Sequence, residues 1–205
     1  MSRPPRLPPV EIQPLSRDMI PEFRALHKIL FPVQYGDKFY DDVLCADMHL
    51  ALVAVADVEQ SDQSLGLRDN SMHDGVGSGN DGSHSERKTN LGQLSGCEGG
   101  RRTVIVGVAS GRVKSIPGMW RDRRDGYIMT LGTREGYRGQ GIANLLLNAL
   151  MQQLSERYSA NSFSLHCTTD NSAVIALYQK NLFVVAQKLV AHYHFHGKHH
   201  DAFEL

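Results

Sequence analysis

Residues 137–150, "YRGQGIANLLLNAL", place two glycines one residue apart directly before an apolar helix. A turn into a helix has use for one glycine, yet Gly139 and Gly141 flank Gln140 and Ala143 follows, so this backbone has almost no side chain over it. The stretch before it, "DGYIMTLGT" (125–133), reads as a strand, and residues 140–158 read as a helix. A strand leading into bare backbone and then a helix presents free N–H groups at the positive end of the helix dipole. That suits an anion, and small residues let a diphosphate come close. A plain glycine-rich connection is the other reading of the spacing alone. No Gly-Lys-Ser/Thr follows, so this is not a P-loop.

Working outward, "SRDMIPEFRALHKIL" (16–30) has helical spacing, with Ser16 or Asp18 as a cap. "FPVQYGDKFYDDVL" (31–44) reads as a turn and a short second helix, and "MHLALVAVA" (48–56) as a strand with Leu50, Leu52 and Ala54 on one face. Further strands are expected at 103–113 and 162–169, with "PGMWRDRRD" as a turn that carries the sole tryptophan. "NSAVIALYQKN" (171–181) reads as a helix capped by Asp170 or Asn171. "FVVAQKLV" and "HYHFH…DAFEL" close the chain as two strands. The order β, α, α, three strands, α, β, α, two strands predicts a layered α/β domain on a mixed sheet with flanking helices.

Two segments stand apart. Residues 1–9 read as a proline-rich extended arm, since five of the eight prolines lie in the first fourteen residues. Residues 57–102 are rich in Gly, Ser, Asp and Asn, cannot bury enough apolar area to offset their ordering entropy, and read as a disordered insertion between two strands. Residues 10–205 are therefore expected to form a single domain interrupted at 57–102. "GVGSG" within the insertion lacks a preceding strand and is no dinucleotide fingerprint.

Lys plus Arg and Asp plus Glu balance at 22 each, which argues against nucleic acid or an acidic membrane as partner. Three scattered cysteines, Cys45, Cys97 and Cys167, argue against a disulfide framework or a thiolate zinc site. There is no apolar signal segment and no run near the roughly 18 residues of a membrane span. The expected setting is cytoplasmic, with the nucleus as a further location.

Arg138-Gly139-Gln140-Gly141-Ile142-Ala143 has the form Arg/Gln-x-x-Gly-x-Gly/Ala, and "NSAVIALY" follows about thirty residues after the loop. Together they resemble the two acetyl-CoA motifs of the GNAT superfamily of N-acetyltransferases. Within it, "FPVQYGDKFYDDVL", "YIMTLG" and "SLHCTTDNSAVIALY" are most similar to the catalytic subunits of NatE-type N-terminal acetyltransferases. The similarity spans roughly 10–56 and 103–196. It implies the GNAT fold, acetyl-CoA as cosubstrate, and transfer of acetyl to the α-amine of protein N-termini beginning with Met and a hydrophobic residue.

The resemblance also assigns residues. Tyr127 and His166 match the catalytic pair, on neighbouring strands from which both can reach one water; His166, with an ordinary pKa near 6.5, suits proton acceptance, and Tyr127 suits orienting the water. A peptide α-amine, with a pKa of about 8, is roughly a tenth neutral near pH 7, so a modest base suffices. After Met129 the strand would bulge and splay around Leu131 and Gly132, and its edge, with Thr133, would pair with pantetheine and offer an oxyanion amide. Arg138, Gly139 and Gln140, then Gly141, Ile142, Ala143 and Asn144, would carry the pyrophosphate. Asn171 and Tyr178 would complete the cofactor pocket, Tyr178 protonating the departing thiolate. Phe31, Pro32, Val33 and Tyr35 match one wall for the acceptor, and Met129 would hold its backbone.

The second acceptor wall departs from the family pattern. It reads His192-Tyr193 where two tyrosines are usual, which would admit a more polar second residue, and Leu182 replaces a usual glycine. His192, His194 and His196 alternate as on one strand face, but no carboxylate or cysteine stands near them, and a solvated or substrate-facing strand without metal is the preferred account. Acetylation of lysine side chains, histones included, is the alternative chemistry. It would want a stronger base than "YIMTL" supplies. A weakly active subunit docked on the NatA scaffold at the ribosome is the other alternative.

Overall fold

A computed structural model describes residues 9–59, 101–118 and 122–205. The arm up to residue 8, most of the insertion, and the tryptophan of the predicted turn lie outside the described residues. The elements are β1 (Val10–Pro14), α1 (Ile20–Leu30), α2 (Asp37–Cys45), β2 (His49–Glu59), β3 (Arg101–Ile116), β4 (Arg123–Thr133), α3 (Ile142–Tyr158), β5 (Ser162–Thr168), α4 (Ser172–Lys180), β6 (Gln187–Phe195) and β7 (Lys198–Glu204). The order of elements is the one expected. β2 and β3 continue into both ends of the stretch expected to be insertion, through Glu59 and from Arg101.

The strands form one seven-stranded sheet in the order β1-β2-β3-β4-β5-β7-β6. β1 pairs antiparallel with β2, and β3 with β4, while β4 and β5 run parallel. β2 is buried on both faces, not only along Leu50, Leu52 and Ala54. Its run of seven apolar residues lacks the alternation of a half-exposed strand. Ala51, Val53 and Val55 meet Phe23 and Leu26 of α1 and Tyr40 and Val43 of α2. α3 lies close to β3, because Cβ atoms at Gly107 and Gly111 would sit 2.9 Å from Leu146 and 3.1 Å from Leu154.

Two local expectations need correction. Neither Ser16 nor Asp18 caps α1: Met19 holds that position with no side-chain hydrogen bond, after a turn of 3-10 helix over Arg17–Met19. The chain reversal near the end is at His196-Gly197, so β6 runs from Gln187 through the residues expected to open the last strand. Between the two runs expected as separate strands, Ala191 is a left-handed bulge inside β6 (φ 52°). No helix among the described residues is long and apolar enough to cross a membrane.

Candidate active site

The site lies where the sheet parts. β4 and β5 pair from Asp125↔Ser162 to Ile128↔Leu165. From the next residue, β5 pairs with β7 instead, as His166↔Glu204, Cys167↔Phe203 and Thr168↔Ala202. On its other side β4 pairs Ser110↔Thr130 and then Gly111↔Ile128, which leaves Met129 as the extra residue of a bulge. The hydroxyls of Ser110 and Thr130, 2.6 Å apart, satisfy each other beneath it. The bulge thus falls at Met129, two residues before the expected Leu131, and the Leu131–Gly132 segment continues the β4 edge past the fork.

Beyond β4 the chain makes a turn of 3-10 helix and enters the glycine loop. Gly139 and Gly141 have φ of 77° and 82°, a left-handed backbone that disfavours any side chain, and no heavy atom lies within 4 Å of where a Cβ would stand. Gly141 is the residue from which α3 starts. The Arg138 Nε donates to the Thr133 carbonyl at 3.2 Å and the Gln140 amide to the Gly136 carbonyl at 3.5 Å, so both side chains brace the loop. Ile142 is buried in the core and Asn144 accepts from Asn181 at 2.8 Å, tying α3 to the end of α4. An unshielded backbone at a helix start fits a diphosphate, with the amides of 139–144 as the donors.

Tyr127 and His166 are joined directly, hydroxyl to Nδ1, at 2.9 Å. Burial raises the Tyr127 pKa, with Arg112 lowering it and Glu204 adding to the rise. The Lys114 ammonium sits 4.0 Å from the centre of the Tyr127 ring. Burial lowers the His166 pKa; His192 and Lys114 act the same way and Glu204 opposes them. Three more phenols converge here. Tyr35 is pushed up to about 12 by burial, with Tyr127 and Tyr40 adding to it. Burial also raises Tyr193, whose hydroxyl donates to the His166 carbonyl at 3.3 Å, and Tyr178, which packs on Phe183. Both feel the charge of Tyr127, so all four hydroxyls are protonated at neutral pH.

The expected acceptor wall reaches the same place. A Cβ on Gly132 would lie 2.9 Å from Leu30 and 3.1 Å from Phe31, so the end of α1 is laid against the β4 edge. Tyr35 meets Phe31 and Phe39 edge and face; Val33 is half-buried and Pro32 exposed. Asn171 caps α4, its side-chain oxygen accepting from the Val174 N–H at 3.2 Å.

The three alternating histidines do not converge. His192 meets His166 with ring centres 4.6 Å apart, His194 meets His199, and His196 lies in the reversal. Among the described residues, no cluster of three His, Cys, Asp or Glu side chains could hold a metal. Sequence reasoning missed Arg112, Lys114 and Glu204 as neighbours of the pair. Arg112 and Lys114 were within reach, because they alternate along β3 and Arg112 stands opposite Tyr127. Glu204 depends on a strand pairing that no local pattern announces.

The sheet thus parts beside a bared helix start, with a phenol and an imidazole at the fork. Residues 71–182 match the sequence profile of the Acetyltransferase (GNAT) family, and the chain belongs to that family. The N-alpha-acetyltransferase 60 of Drosophila melanogaster is 28% identical over 196 residues, covering 95% of this chain and 67% of the fly protein. The histone acetyltransferase MCC1 of Arabidopsis thaliana is 23% identical over 207 residues, covering 96% and 68%. The crystal structure of Arabidopsis thaliana NAA60 in complex with acetyl-CoA shares the fold, with a TM-score of 0.68 at 19% identity and 96% of each chain covered. The protein is a GNAT acetyltransferase, and the expected fold stands.

Proposed function

We propose that the protein transfers acetyl to the α-amine of protein N-termini, with preference for Met followed by a hydrophobic residue. The hydrogen-bonded Tyr127–His166 pair at the fork is the observation that carries this reading, with the Phe31 and Tyr35 wall against the same strand. Acetyl-CoA, when bound, supplies a thioester whose carbonyl carbon the neutral amine attacks. The backbone of 139–144 would hold its diphosphate, and the edge beyond Met129 its amide-bearing arm.

The chain's own residues handle the protons. His166 takes the amine's proton through a water. With the imidazole proton on Nδ1, directed at the Tyr127 oxygen, Nε2 keeps the lone pair that accepts. The Tyr127 hydroxyl then holds the water in place. His166 is uncharged near pH 7, because burial disfavours its cation, and so is ready to act. Tyr178, kept protonated by burial, gives its proton to the departing sulfur and regains one as His166 releases the amine's proton to water.

Intact-mass analysis of two peptides with acetyl-CoA tests this. One begins Met-Leu with blocked lysines; the other has a blocked N-terminus and free lysines. Acetyl on the first alone supports the reading. Acetyl on the second alone overturns it in favour of lysine acetylation, the activity named for the Arabidopsis histone acetyltransferase relative. No transfer despite acetyl-CoA binding favours dependence on a NatA-type scaffold. Activity on nascent chains would place the protein in the cytoplasm.

A further inference from the structure

His166 has two ring neighbours, Tyr127 of β4 at 5.5 Å and His192 of β6 at 4.6 Å between centres. The proton transfer described above requires only the first. The second arrives by a built detour. The β6–β7 register shifts between Leu189 and Tyr193, and Ala191 adopts a left-handed backbone, unfavourable for a residue with a Cβ. Asp201 of β7 holds that bend: its carboxylate accepts from the Ala191 N–H at 2.9 Å and pairs with Lys188 at 2.7 Å. On the far side of the bend Tyr193 is moored to the His166 carbonyl and meets the His192 ring edge-on at 4.8 Å. His192 is exposed, so no demand of the core puts it there.

We propose that His192 is a positioning residue for His166: its ring, 4.6 Å away between centres, holds the imidazole where Nδ1 meets the Tyr127 hydroxyl. This rests on His166 being the proton acceptor. The other groups facing His166 are Lys114 from β3, which acts with His192 against a cation, and Glu204 from β7, which acts for one. Tyr127 from β4 and Tyr193 from β6 are neutral near pH 7, held protonated by burial. His192 therefore lowers the pH at which the acceptor becomes blocked by its own proton.

Histidine-ring NMR across pH 4–8, alongside the pH profile of kcat/KM, reads this in the wild type, His192→Phe and His192→Ala. In His192→Phe, which keeps an aromatic ring without a titrating nitrogen, His166 should take its proton about half a pH unit higher, the effect of one unit charge at this distance in a nearly water-like dielectric. The acid limb of kcat/KM should move with it. In His192→Ala the His166 tautomer ratio should change as well, and Phe should restore it. A His166 titration and acid limb identical in all three proteins overturn the proposal. Should His166→Gln keep full activity, the acceptor assignment falls instead, while ring titration still decides whether the pair is coupled.

Discussion

A phenol and an imidazole lie 2.9 Å apart, and burial pushes both toward their uncharged forms near neutral pH, as the proposed proton transfer through one water requires. Neither alone holds a water and accepts its proton. Tyr127→Phe keeps the ring beside Lys114 and removes only the hydroxyl; kcat/KM on a Met-Leu peptide should fall about 100-fold. His166→Ala should cost a similar factor, and the double variant no more than the worse single one, as for groups acting as a unit. Initial rates on the four proteins check this, and losses that multiply would mean independent roles. The two residues are legible as a pair only through the family resemblance. A tyrosine and a histidine 39 residues apart carry no local sign of contact.

At the scale of elements, the start of α3 shows what local sequence can specify. The two glycines, the apolar helix after them and the strand before them are all neighbours in sequence, and all take the expected form. Gly141→Ala meets no atom but must adopt a left-handed backbone, so it should cost about 1–2 kcal/mol of stability and weaken acetyl-CoA binding about tenfold. Gly136→Ala, with equally open space and no positive φ, is the control and should bind normally. Thermal melts and calorimetric titration separate the two. The Asn171 cap was legible for the same local reason. The β6–β7 hairpin was not: Ala191 bends because Asp201, on the neighbouring strand, accepts its N–H, and that partnership appears only after the hairpin has formed.

Across the whole molecule, helices clamp the central strands from both faces, and one imidazole is enclosed with them. His27 is almost fully buried among Phe23, Phe31, Tyr35, Phe39 and Tyr40, neither ring nitrogen has a hydrogen-bond partner, and burial lowers its pKa to about 4. Unfolded, it would take a proton near 6.5, so between those values the unfolded chain binds a proton that the folded one refuses. Stability should therefore fall as pH drops from 6.5 to 4, by about 3 kcal/mol in total, and His27→Leu should flatten that slope in urea melts. The fork in the sheet has its own consequence for motion. Ile128↔Leu165 is the last rung of a short zip, and β5 is its slider, joined to β4 below and to β7 above. Rungs at such an end open readily, and a molecule lying across the fork withholds that opening. Acetyl-CoA should accordingly slow amide exchange at 126–131 and 163–168 far more than in α1 or α2; slowing spread evenly along the chain would mean that the zip stays shut without it.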